Sequence, residues 1–129
     1  MTIVVGILIA MLGFAVAPVA AAPPSDSIGS WQVTCGGTIQ SGSELHRVYS
    51  VSMTFDYTGK KEARIYEYSQ GAAIDSDHAW FHGNGQATFT GTVAGAPVGS
   101  TVSFVLYVLK GSHHQLTPTA TATTTTYSC

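Results

Sequence analysis

The stretch RVYSVSMTFDY, Arg47 to Tyr57, sorts its side chains by parity. Tyr49, Val51, Met53, Phe55 and Tyr57 fall on odd positions, and Ser50, Ser52, Thr54 and Asp56 fall on even ones. Only a period of two separates them this cleanly, so the segment reads as a β-strand with one face in a core and the other toward water. The run ends at Thr58-Gly59-Lys60, a short turn, and EARIYEYS (Glu62 to Ser69) follows as the expected second arm of a hairpin.

The same reading extends in both directions. Ala87, Phe89 and Val93 alternate with Gln86, Thr88, Thr90 and Thr92, and AGAPVGS then supplies a Gly/Pro loop. STVSFVLYVLK (Ser100 to Lys110) is apolar on both parities, the pattern of a strand covered on both faces, and its β-branched and aromatic content argues against a short helix. SWQVTC places Trp31, Val33 and Cys35 on one parity, and Gly36-Gly37 ends the run. DHAWFH reads as one more short strand before His82-Gly83-Asn84-Gly85. The total is six or seven strands without a helix, which predicts an all-β fold: an antiparallel β-sandwich, immunoglobulin-like in general architecture. Tyr127-x-Cys129 has the spacing of an immunoglobulin strand, but Trp31 precedes the first cysteine and no strand follows the second, so no family is assigned.

ATATTTTYSC, the run from Ala120 to Cys129, resembles an O-glycosylated stalk in composition. A stalk has no use for a terminal cysteine, whereas threonine suits a pleated surface. We read Thr119 to Cys129 as the last strand, with Thr121, Thr123, Thr125, Tyr127 and Cys129 facing inward, and predict a disulfide between Cys129 and Cys35 in the first strand.

The chain of 129 residues has room for one domain after its N-terminal segment. An uninterrupted apolar stretch from Ile3 to Ala17, followed by small residues and Pro23-Pro24, has the layout of a secretory signal peptide. Val19 and Ala21 supply the small side chains before a cut, so residues 1–21 are expected to be removed and 22–129 to form a single all-β domain. The competing reading is an uncleaved anchor, which needs about 20 apolar residues and charged flanks. The expected location is therefore secreted or extracellular, with no membrane contact after cleavage. A net charge of −2 leaves no basic footprint for nucleic acid. Asn84 is followed by Gly85-Gln86, so it is not in a glycosylation sequon.

Few residues offer chemistry. Asp75, Asp77, His78 and His82 cluster within DSDHAWFH and carry metal-ligand atoms, yet such a run is more often a solvated polar turn, and no metal is assigned. His113 and His114 point opposite ways in an extended chain and are poorly arranged to chelate. No Gly-x-Ser-x-Gly elbow is present. Among Glu44, Glu62, Glu67, Asp56, Asp75 and Asp77, no spacing marks a catalytic carboxylate pair. The aromatic residues are a better handle. If Ala63 and Ile65 face the core, Tyr66 and Tyr68 face outward, where a tyrosine can stack on a sugar ring or anchor a protein. They would be free to do so unless the neighbouring Trp80 and Phe81 cover them.

The expectation is a secreted, non-enzymatic β-sandwich that binds a protein or carbohydrate partner without a cofactor. Carbohydrate recognition through Tyr66, Tyr68 and Trp80 is the second reading, and a small secreted hydrolase or metal-dependent enzyme the third.

Overall fold

The computed structural model describes residues 25–112 and 115–129. The expected signal peptide and the His113-His114 pair lie outside them. Seven strands run through the described residues: β1 (Ser27–Ser41), β2 (Glu44–Thr58), β3 (Lys61–Ser69), β4 (Ala72–Phe81), β5 (Asn84–Val93), β6 (Ser103–Ser112) and β7 (Gln115–Thr123). They pair antiparallel in two sheets, ordered β1-β2-β5 and β4-β3-β6-β7.

The parity seen in Arg47–Tyr57 is what builds the core. Tyr49, Val51, Met53 and Phe55 of β2 are each no more than 1% exposed. Ala63 and Ile65 of β3 and Phe104, Leu106 and Val108 of β6 meet them from the opposite sheet. Phe55 anchors one end, its ring centroid 5.1 Å from that of Phe81 in an edge-to-face contact. Gly91 sits on the inward parity of β5 opposite Val51 because the space is taken: a Cβ there would lie 3.1 Å from Cδ1 of Ile65 and 3.3 Å from Cβ of Asp77.

The expected hairpin between β2 and β3 does not form. β2 lies between β1 and β5, so both of its edges are occupied, and β3 starts the other sheet. Gly59, at φ 78°, turns the chain across the sandwich, and its N–H donates to the Gly83 carbonyl at 2.7 Å. The alternation identifies the inward faces of β2 and β3 but says nothing about which sheet each joins. DHAWFH proves to be the end of a ten-residue strand, β4. The outer side of β6 is only partly covered, leaving Val105 and Tyr107 half-buried.

The last described residue lies beside the first strand. Cys35 and Cys129 form the expected disulfide, with Cα atoms 6.4 Å apart, inside the usual range. Cys129 packs against the core, but Cys35 is exposed, because β1 is an edge strand whose register shifts directly after it. The terminal run also departs from expectation. The β6–β7 ladder ends at Thr123, and Thr121, Thr123 and Thr125 are exposed while Ala120, Ala122 and Thr124 turn inward. Buried Thr124 accepts a hydrogen bond from the Phe104 N–H at 3.0 Å. The backbone then steps, and Tyr127 pairs with Val102 in an isolated bridge, which brings Tyr127 and Cys129 back to the core. At the start of β1, the Asp26 carboxylate holds Lys61 Nζ at 2.9 Å and accepts from the Thr58 N–H and the Thr119 hydroxyl at 3.1 and 2.5 Å.

Candidate functional site

The two outer faces differ in chemistry. On the three-stranded sheet, small hydroxyls pair across strands, with Ser52 2.8 Å from Thr90 and Thr54 3.4 Å from Thr88. On the four-stranded sheet, the outward parity of β3 carries Glu62, Arg64, Tyr66 and Tyr68, while Ala63, Ile65 and Glu67 are buried beneath it. The register places Tyr107 of β6 beside Arg64, Val105 beside Tyr66 and Ser103 beside Tyr68. Three tyrosines therefore share one face.

Tyr66 is the middle ring. Its centroid lies 5.8 Å from that of Tyr107 and 6.3 Å from that of Tyr68, both in steep edge-to-face arrangements. The Arg64 guanidinium lies 5.7 Å from its centroid and donates to its hydroxyl at 3.3 Å. Arg64 is itself held by Glu62, to which Nη2 donates at 2.8 Å. That hydrogen bond, with the Glu62 charge, keeps the guanidinium pKa above its ordinary value. Glu62 is 1% exposed although it is on the outward parity, and His78 of β4 lies 3.7 Å from its Oε2. The stack is thus fixed by an ion pair under its edge.

Two hollows flank Tyr68. One, of about 380 Å³, is lined by Tyr66, Tyr68, Tyr107, Leu109, Leu116 and Pro118. The other, of about 410 Å³, is lined by residues that include Tyr68, Gln70, Thr101, Ser103 and Thr126.

Trp80 does not join the tyrosines. It pairs with Glu62, whereas Tyr66 pairs with Ser76, a separation of four residues along β3, or about 13 Å. The Lys60 ammonium lies 4.9 Å from the Trp80 ring, which lines a separate hollow with His82 and Ser112. Phe81 points the other way, into the core, so neither residue covers the tyrosines. Tyr107 was not singled out in the sequence, because a strand apolar on both parities hides which of its residues face out. Its odd parity, shared with Val105 and opposite to that of Leu106, is the signal that was present.

The Asp/His run is dispersed. Asp77 Oδ2 accepts from the Thr92 N–H at 2.9 Å and Asp75 Oδ2 from the Ala94 N–H at 2.8 Å, so both carboxylates tie the β4 edge to β5. His78 lies by Glu62 and His82 by Trp80. No group of three or more His, Cys, Asp or Glu residues among the described residues is placed to hold a metal ion. Glu67 and Asp75 are register partners, but Glu67 is fully buried and accepts from the Gly95 N–H at 2.8 Å. Burial raises its pKa, with the Asp75 charge adding to the effect and the Gly95 hydrogen bond and His46 opposing it. The pair pins the β5–β6 loop. No family model, curated protein or solved structure matches the chain.

Proposed function

We propose that the chain is an exported, non-enzymatic binding module of immunoglobulin-like architecture, which takes its ligand on the outer face of the four-stranded sheet. The carrying observation is the braced row of Tyr107, Tyr66 and Tyr68, half-buried and bordered by hollows on a face that no other described element covers. Aromatic rings held rigidly at a surface supply large contact area at low entropic cost on binding. The strand order supports the architecture: the groupings β1-β2-β5 and β3-β6-β7 are those of the immunoglobulin constant arrangement, from which the fourth strand departs by bordering the third instead of joining the sheet of the first. The apolar N-terminal stretch and the disulfide support export. The buried carboxylates Glu62 and Glu67 hold Arg64 and the Gly95 loop, which supports a non-enzymatic role.

The test compares the oxidised wild type with a Tyr66→Ala/Tyr68→Ala variant of unchanged circular dichroism. Each is passed over immobilised polysaccharides and extracellular proteins, and the eluates are assayed for released reducing ends and peptides. Retention of the wild type on at least one surface, lost in the variant and without turnover, is expected. Equal retention of both proteins, or turnover of the retained material, would refute the proposal.

A further inference from the structure

We propose that the two hollows beside Tyr68 form one continuous site for a neutral polysaccharide, with Gln70 as its specificity-determining hydrogen-bonding residue. The inference rests on the binding-module reading and names its ligand class.

Tyr68 lines both hollows, so a ligand crossing it would touch both. One hollow is walled by aromatic and aliphatic side chains, Tyr66, Tyr107, Leu116 and Pro118 among them; the other mixes the polar Gln70, Thr101, Ser103 and Thr126 with the apolar Val102 and Val105. A sugar ring has the matching pair of surfaces, an apolar C–H face that lies on an aromatic ring and a rim of hydroxyls that exchange hydrogen bonds with amides and hydroxyls. Extended over more than one ring, such a ligand would present both surfaces to the two hollows together.

Charge narrows the class. Among the described residues, no Asp, Glu, Lys, Arg or His lines either hollow, and the nearby Arg64 is already engaged by Glu62 at 2.8 Å. An anionic glycan, a nucleic acid or an acidic peptide would find no counter-charge to replace its water. Of the exposed large apolar side chains, Trp31, Ile39 and Leu45 lie on β1 and β2, Val98 in the loop after β5 and Ile74 on β4, and none of them lines either hollow.

Gln70 is the independent observation. It is the non-glycine residue with positive φ among the described residues, at 52°, and with Gly71 at 79° it makes the tight turn between β3 and β4. Both central residues of such a turn need positive φ, which favours Asn, Asp or Gly. Glutamine has no advantage for the turn, and strained backbone of this kind is a pointer to function. The residue is exposed and lines the hollow, where its amide is open to a ligand.

The experiment is affinity gel electrophoresis and titration calorimetry of the oxidised protein against neutral polysaccharides (β-glucan, xylan, mannan, α-glucan, chitin oligomers) and charged ones (pectin, alginate, heparin). The variants are Tyr68→Ala, Gln70→Gly and, as a control on the other sheet, Trp31→Ala. The expected result is binding to a neutral glycan, weakened by about tenfold or more in Tyr68→Ala and Gln70→Gly and unchanged in Trp31→Ala. Gln70→Gly should melt no lower than the wild type, which separates lost contact from lost fold. Binding of charged glycans alone, or a neutral glycan bound equally by all variants, would overturn the assignment. If no glycan binds but a protein ligand is lost on Tyr66→Ala/Tyr68→Ala, the glycan assignment falls and the binding-module reading stands. If neither occurs, both fall.

Discussion

Reducing the Cys35–Cys129 bridge should remove much of the stability of this domain. The cysteines are 94 residues apart in sequence. Opening a loop of that size returns about 4.7 kcal/mol of conformational freedom to the unfolded chain at 25 °C in the chain-entropy treatment, and residual structure in the reduced chain lowers the figure. Domains of this size typically have about 5 to 15 kcal/mol in all. At about 4 to 8 °C per kcal/mol, the melting temperature should fall by about 20 to 35 °C. Cys35 is exposed, so a phosphine reductant can reach the bridge without prior unfolding. The assay is guanidinium unfolding of the oxidised protein, the reduced protein and a Cys35→Ser/Cys129→Ser variant. The reduced chain and the variant should agree with each other and show a steeper denaturant dependence, because an unbridged unfolded chain exposes more surface. A loss of less than about 1 kcal/mol in both would refute the reasoning, since the bridge would then be restraining ends already fixed by the ladders.

Three further outcomes are expected. Asp26→Asn should cost about 3 kcal/mol at pH 7 by leaving Lys61 buried without its counter-charge. Burial alone would raise the Asp26 pKa, but the Thr119 and Lys61 hydrogen bonds and the Lys61 charge bring it below its ordinary value. The contribution is therefore complete above the unfolded-state pKa and lost as pH falls through the folded-state value, so urea titrations of the two proteins should converge in acid. Glu67 has the opposite sign: burial lifts its folded pKa, so its contribution is present below the unfolded value and lost as pH rises through the folded one. Glu67→Gln keeps an oxygen for the Gly95 N–H, and should make the protein more stable at neutral pH by about 1 kcal/mol while removing this loss, measured by urea unfolding at pH 4.5 and 7.5. Phe55→Ala should cost about 3 to 5 kcal/mol in equilibrium unfolding by emptying the contact with Phe81.

The inward face of β2 was legible in the sequence because burial imposes a period of two, and Tyr49 to Tyr57 obey it without exception. Strand partnership was not, because a turn of the Gly59 type serves equally to pair two strands or to carry the chain from one sheet to the other. The choice depends on β1 and β5 occupying both edges of β2, which no local pattern records. The bridge between Cys35 and Cys129 was legible from cysteine number and position. The reversal of the threonine parity was not, since it follows from the step at Thr124, where one hydroxyl meets the Phe104 amide. At the site, Tyr66 and Tyr68 could be placed outward by elimination against Ala63 and Ile65. Tyr107 joins them only through the β3–β6 register, and Trp80 leaves them for the same reason: its partner is Glu62.

The bridge between the edge strand and Cys129 also decides how the domain would bear a pull. Tension applied between Ser27 and Cys129 would run along β1 as far as Cys35 and then through sulfur, bypassing β2 to β7 entirely. Only the segment from Ser27 to Cys35 could lengthen, to about 30 Å, where the unbridged chain would pay out to about 350 Å. Oxidised, the domain is a nearly inextensible link; reduced, it becomes a long tether.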